Sequence, residues 1–328
     1  MSNNGKWGAY KPKKAVAKND RRCDTIIFMM TLREYIKEAK EKRIAIGHFN
    51  ISDLAALEAI FETARELGVP VIIGTSEGER EFIGVRQAAA LVKSFRDEYD
   101  FPIFLNADHT HSLEKIKEAV EAGYDAVLFD PTPNFVRGGA GGGKMPLEEN
   151  IKQTKEVVDW VRSANPNVLI EGEIGYIGSS SQILKEVPAG AALKPEELTS
   201  PEQAKKFIEK TGVDLLAPAV GNIHGIIVQP GFVEKLDIER IRAIKEVAGV
   251  PLVLHGGSGL SEEDFRAAIK AGINIIHINT EIRQAWRHGM EEGLSKNPDE
   301  IAPYKISASS VEEMKKIIRR KLEIFNGS

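Results

Sequence analysis

Eight short apolar runs, separated by segments with helical periodicity, constrain this 328-residue chain more than any other feature. The runs are Ile44–Phe49, Val71–Gly74, Ile103–Ala107, Ala126–Phe129, Val168–Ile170, Leu215–Ala219, Pro251–Leu254 and Ile273–Ile278. Between them, Ser112–Ala122 places Leu113, Ile116 and Val120 on one helical face, and Leu147–Val161 and Glu239–Val247 follow the same period. Glu202–Thr211 follows Ser200-Pro201, with the proline suited to a first helical turn. Strands that alternate with helices pair in parallel through right-handed crossovers. Eight such units in about 250 residues predict an α/β fold closed into a (β/α)8 TIM barrel over 31–328, including a C-terminal helix. An open doubly wound sheet is the alternative that the same alternation permits.

Composition bears mainly on partners and compartment. The net charge of -4 is too small to indicate a nucleic-acid or membrane-surface partner, so neither is expected. No apolar run approaches the ~20 residues of a membrane-spanning helix. The single cysteine, Cys23, excludes an intrachain disulfide framework and a cysteine-based zinc site. A reducing, cytoplasmic setting is therefore expected. Residues 1–30 are basic through Lys6, Lys11, Lys13, Lys14, Lys18, Arg21 and Arg22, and read as a disordered extension. The folded unit is expected to begin at about Met30, with Thr31 capping a helix from Leu32.

A barrel of this kind carries its chemistry at the C-terminal ends of its strands. Six of the seven histidines fall at or near such ends: His48, His109, His111, His224, His255 and His277. Only His288 lies within a predicted helix. His109, His224 and His255 follow three different apolar segments, and three convergent imidazoles with an open fourth position suit a catalytic zinc. Asp108, beside His109, suits proton transfer to a substrate held there; its alternative role is to cap the helix after Ser112. Gly256-Gly257-Ser258-Gly259 leads from His255 toward a helix starting near Ser261, an arrangement that exposes backbone N–H groups to a phosphate. Glu171 and Glu173 share one strand face, where they orient a ligand, hold a second cation or fill the barrel interior. The run Gly138 to Lys144 nearly matches a P-loop but is followed by Met145-Pro146 in place of a hydroxyl residue, and reads as a loop.

From about Thr31 to Phe325 the chain resembles the class II, metal-dependent ketose-bisphosphate aldolases, the family of fructose- and tagatose-bisphosphate aldolases. The matching motifs are Gly47-His48-Phe49-Asn50, Ser76-Glu77-Gly78, Ala107-Asp108-His109, Pro146-Leu147-Glu148-Glu149-Asn150 and Glu171-Gly172-Glu173-Ile174-Gly175. They continue with Thr211-Gly212-Val213-Asp214, Gly221-Asn222-Ile223-His224-Gly225 and the loop from His255 to Gly259. The resemblance implies that His109, His224 and His255 bind a catalytic Zn²⁺ acting as a Lewis acid on the ketose carbonyl. Glu173 joins the metal set, with a second divalent or monovalent cation left open. Asp108 would exchange the hydroxyl proton, and Glu186, the only acid in the loop from Gly178 to Pro188, would serve proton transfer at carbon. Gly225, Gly256, Ser258 and Thr280 would bind phosphate, and Asn50, Ser76, His277 and Asn279 would contact substrate. Arg320 resembles a residue that reaches a neighbouring subunit's second phosphate.

Fructose 1,6-bisphosphate is the implied substrate, with tagatose 1,6-bisphosphate or another phosphorylated ketose as the variant. A non-catalytic barrel that binds sugar phosphate is the alternative from another class. A homodimer or homotetramer is implied by the family alone. The chain departs from the family pattern in three places: His277 stands where asparagine is common, Ile226-Ile227-Val228 replace an aromatic and a lysine, and Asp130-Pro131-Thr132 replaces Asp-Gly-Ser.

Overall fold

The computed structural model describes residues 30–132, 145–178, 181–188 and 190–327. Residues 1–29 of the expected basic extension and the glycine-rich run ending at Lys144 lie outside the described residues. Eight parallel strands close into a barrel. They are β1 (Ile46–Asn50), β2 (Val71–Thr75), β3 (Ile103–Thr110), β4 (Ala126–Phe129), β5 (Leu169–Ile174), β6 (Leu215–Pro218), β7 (Leu252–Leu254) and β8 (Ile273–Ile278). Each pairs with its sequence neighbours, and β1 closes on β8 with His48 opposite His277. The open-sheet alternative is thereby excluded.

Local chemistry sets the helix ends. Thr31 and Glu34 form a capping box before the helix Leu32–Lys42, Ser112 caps Leu113–Ala122, and Ser200 with Pro201 starts Pro201–Thr211. Leu32, Ile36 and Ala39 of the first helix belong to the same apolar cluster as Ile46, Ile72, Phe104, Ala126, Leu169, Leu215, Val253 and Ile275, one residue from each strand. This cluster is the barrel floor, closed from below by the first helix. The helices outside pack on a second cluster contributed by the outward residues of the strands.

Two residues further along five of the strands, at the same pleat phase, the interior changes character. Ile46 is followed by His48, Phe104 by Asn106, Leu169 by Glu171, Val253 by His255 and Ile275 by His277, all buried. Two residues further again come Asn50, Asp108, Glu173 and Asn279. An apolar floor thus carries two polar layers, and the upper one opens on the barrel mouth.

Candidate active site

A cavity of about 480 Å³ occupies that mouth. Of the residues expected from sequence, Asn50, Ser76, Asp108, His109, His224, Gly225, His255, Gly256, Ser258, His277, Asn279 and Thr280 line it. Glu173 is buried just beneath, its Oε2 4.0 Å from His255 Nδ1. Glu186 is exposed and outside the lining. Arg320 is 73% exposed on the outer surface, 3.9 Å from Glu262, and likewise outside the lining.

Asp108 and His109 are adjacent yet both reach the cavity, which a regular strand with alternating sides forbids. The pairing of β3 with β4 slips between Ala107 and Thr110, and His109 takes a left-handed φ of 34°. Buried Arg80 holds this irregular turn by donating to Asp108 O at 3.1 Å, to Thr110 Oγ1 at 2.8 Å and to Thr75 O.

His109, His224 and His255 bring ring nitrogens to within 4.8 Å of one another. Each ring has its other nitrogen engaged. His109 Nδ1 meets Asp130 Oδ2 at 3.2 Å, His224 Nδ1 meets the Gly178 carbonyl at 2.7 Å, and His255 Nε2 meets Glu171 Oε1 at 2.7 Å. Such oxygen acceptors orient the rings so that, once His109 gives up its proton, all three inward nitrogens present lone pairs. The His109 Nε2 and His255 Nδ1 atoms are 3.1 Å apart. In the metal-free protein that contact is a hydrogen bond donated by the protonated His109 to neutral His255, and a bound cation would take the place of its proton. Nitrogens about 2.0–2.1 Å from one tetrahedral zinc would stand roughly 3.3–3.4 Å apart. The donor set therefore fits a divalent metal, and Asp108 Oδ1 and Glu173 Oε2 are buried beside it without hydrogen-bond partners among the described residues. Asp130, Glu173 and His109 form an adjoining group with the spacing of a second cation site.

The electrostatics of the protein alone follow from burial and mutual charge. Burial lowers His224 and His255 to about 3, helped by the charge of His109. Burial also disfavours a charge on His109, but Asp108, Asp130 and Glu173 outweigh it and raise its pKa to about 10. Burial pushes Asp108 upward, yet His109 and His277 hold it well below the usual carboxylate range. Glu171 is carried up to about 8 by burial and by the charge of Asp108. One site thus separates an ionised acid from protonated neighbours, the pattern that acid–base chemistry requires.

Glu79 and Arg283, not singled out from sequence, organise the rest together with residues that were. Asn50 Nδ2 donates to Asp108 Oδ2 and to Glu79 Oε2, each at 2.9 Å, and Arg283 donates to Glu79 Oε1 at 2.6 Å. Arg283 is the only arginine or lysine lining the cavity among the described residues. At the same end, Ser258 Oγ accepts the N–H groups of Asn279 and Glu281, both at 3.3 Å, beside the first turn of the helix Thr280–Lys296. A Cβ at Gly256 would meet Ile223 O at 2.3 Å, so glycine is needed for this loop to approach the His224 segment. Ile226 and Ile227 pair with Ile183 and Leu184 in a small parallel ribbon, and Arg283 donates to Ser181 O at 3.2 Å. The segment around Ser181 is thereby held across the cavity. Arg283 and Glu79 sit on helices, where their polarity resembles ordinary surface patterning, and only the fold turns them inward.

Comparison with known proteins agrees with this geometry. The family model for fructose-bisphosphate aldolase class-II matches residues 30–328. A fructose-bisphosphate aldolase of Geobacillus stearothermophilus is 30% identical over 304 residues, covering 92% of this chain and 98% of the relative. The crystal structure of the YdjI aldolase from Escherichia coli K12 superposes with a TM-score of 0.72 at 27% identity, covering 91% of this chain and 97% of that one. Fructose-bisphosphate aldolase from Campylobacter jejuni shares the fold with the same TM-score of 0.72 at 21% identity, covering 90% and 94%. With the barrel, the histidine cluster and a match running from the first described residue onward, the chain belongs to the class-II fructose-bisphosphate aldolase family.

Proposed function

We propose that the protein is a zinc-dependent aldolase that reversibly cleaves fructose 1,6-bisphosphate to dihydroxyacetone phosphate and glyceraldehyde 3-phosphate. The observation that carries this reading is the convergence of three imidazoles, each anchored through its outward nitrogen, beside an ionised, half-satisfied Asp108. His109, His224 and His255 would hold the metal, which supplies Lewis-acid polarisation of the ketose carbonyl. Asp108, steadied by Asn50 through Oδ2, has its Oδ1 free to take the C4 hydroxyl proton. As that proton leaves, the C4 carbonyl forms, the C3–C4 bond breaks, and its electron pair passes to C3. Gly256, Ser258 and Thr280 suit one phosphate, and Arg283 offers a charged fork for a second anionic group. Glu186 serves proton delivery to carbon only if its segment turns inward, because its side chain is exposed.

Another phosphorylated ketose, including tagatose 1,6-bisphosphate, is the second reading. His277 and the apolar Ile226–Val228 segment favour it, since both alter the surroundings of the substrate. The deciding experiment is turnover of fructose 1,6-bisphosphate before and after EDTA, with Zn²⁺ restored. Metal-dependent cleavage that disappears in Asp108→Ala and His109→Ala is expected. Zinc-loaded protein without turnover would move the assignment to another ketose phosphate, and absence of bound zinc would overturn the three-histidine metal site.

A further inference from the structure

His48 and His277 lie opposite each other on β1 and β8, and their rings stack face to face with centroids 3.4 Å apart and planes 2° from parallel. His277 lines the cavity and packs against His255 on its other side, at 3.9 Å between centroids. Among the described residues neither ring nitrogen of His277 has a hydrogen-bond partner, although Nδ1 stands 3.4 Å from Asp108 Oδ1, at the outer limit of such a bond. His48 is fully buried, and its Nε2 is 3.1 Å from Asn106 Nδ2. Its ring fits only because β2 carries glycine at that level: a Cβ on Gly74 would meet His48 Cε1 at 2.1 Å.

Parallel rings at this spacing cannot both aim their in-plane lone pairs at one ion, so the pair is not a metal chelate. What the stack does is fix the plane of His277, whose unpartnered nitrogens border the cavity next to Asp108. A phosphate is repelled from that place by the Asp108 carboxylate, and the anion-binding groups lie elsewhere in the cavity. An imidazole offers one donor and one acceptor, which matches a hydroxyl group.

We propose that His277 reads the C4 hydroxyl of the ketose, and that His48, seated over Gly74, is the positioning residue that holds it. This rests on the aldolase reading above, in which Asp108 takes the proton of that same hydroxyl. Discrimination between C4 epimers then resides in a ring stack on β1 and β8, one member of which never touches substrate.

The test compares kcat/KM for fructose 1,6-bisphosphate and tagatose 1,6-bisphosphate in zinc-loaded wild type, His277→Asn, His48→Ala and His48→Phe, with metal content measured in each. The wild type is expected to prefer one epimer. His277→Asn and His48→Ala should each shrink the preference about tenfold at full metal content, the effect of one lost buried hydrogen bond. His48→Phe keeps a ring in the stack and should retain the preference to within about threefold. A preference unchanged in His277→Asn, absent in the wild type, or lost equally in His48→Phe and His48→Ala overturns the inference. Crystal structures of the two His48 variants supply a readout independent of turnover. The His277 ring should turn in His48→Ala and stay in His48→Phe; a ring unmoved in His48→Ala refutes the positioning role. Wild-type enzyme that cleaves neither epimer would instead overturn the substrate assignment, leaving the positioning role to the crystal structures.

Discussion

Raising the pH from 6.5 to 8 should weaken the metal-free protein while strengthening its hold on metal. In the metal-free fold, the surrounding carboxylates lift His109 to about 10, above the ~6.5 of an unfolded chain. A histidine raised in this way contributes stability that is fully present below pH 6.5 and lost as pH climbs toward 10. At about 1.4 kcal/mol per pH unit within that window, His109 alone removes about 2 kcal/mol between pH 6.5 and 8. Glu171 and Glu234, both raised to about 8 by burial, act in the same direction, because their folded forms keep protons that the unfolded chain has already released. For a domain of this size the His109 contribution alone should lower the unfolding midpoint by about 4 °C. Metal binding requires neutral His109, so its proton must leave, and affinity rises with pH over the same window. The midpoints of zinc-loaded and EDTA-stripped protein, scanned at pH 6.5, 7.2 and 8, should therefore diverge by about 4 °C. Asp130→Asn removes one of the carboxylates that raise His109 and should reduce the divergence. A stripped protein whose midpoint is flat or rising, or a gap that does not widen, would refute the reasoning.

Three substitutions probe individual parts of the site and one probes its support. Asp108→Asn should lower kcat by about 10³-fold while zinc content stays at wild-type level, and retained turnover would remove Asp108 from proton transfer. Glu171→Gln weakens the acceptor behind His255 and should cost roughly 10–100-fold in zinc affinity by chelator competition; unchanged affinity would reduce Glu171 to barrel filling. Arg283→Met should cut kcat/KM for a ketose bisphosphate about tenfold or more, with a smaller loss for the corresponding 1-phosphate. Equal losses on both would mean that Arg283 serves only Glu79 and the Ser181 segment. Buried Lys321 lies 2.8 Å from Glu281, whose carboxylate also accepts the Gly259 N–H. Lys321→Met should cost about 3 kcal/mol in denaturant unfolding, and Lys321→Met combined with Glu281→Gln should recover part of it.

The strands were readable because apolar runs between amphipathic helices have few other solutions, yet two of them ended three or more residues too early when read from sequence. The run Val168–Ile170 belongs to a strand that continues to Ile174, and Ile103–Ala107 to one that continues to Thr110. In both cases the strand goes on through charged residues that point into the barrel, where polarity normally marks a loop. Asp108, His109, Glu171 and Glu173 all sit in those continuations. His224 stands in the loop after β6 rather than at the strand end, held there by the Ile177 and Gly178 carbonyls. Among arginines, Arg320 was favoured by resemblance, whereas the barrel mouth holds Arg283, on a helix whose sequence reads as an ordinary exposed face.

Periodicity and residue type determined the barrel, the end of it that carries chemistry, and most side chains that gather there. These are local properties: a pleat alternates sides whatever surrounds it, and histidines at strand ends meet wherever eight strands close. What pairing and burial alone decided is the state of each group. The left-handed turn at His109, the clamp of Arg80 upon it, the ionised Asp108 beside protonated Glu171, and the stack of His48 on His277 all depend on atoms far apart in the chain. Charge, tautomer and ring plane are set by neighbours within a few ångströms, and those neighbours exist only once the barrel has closed.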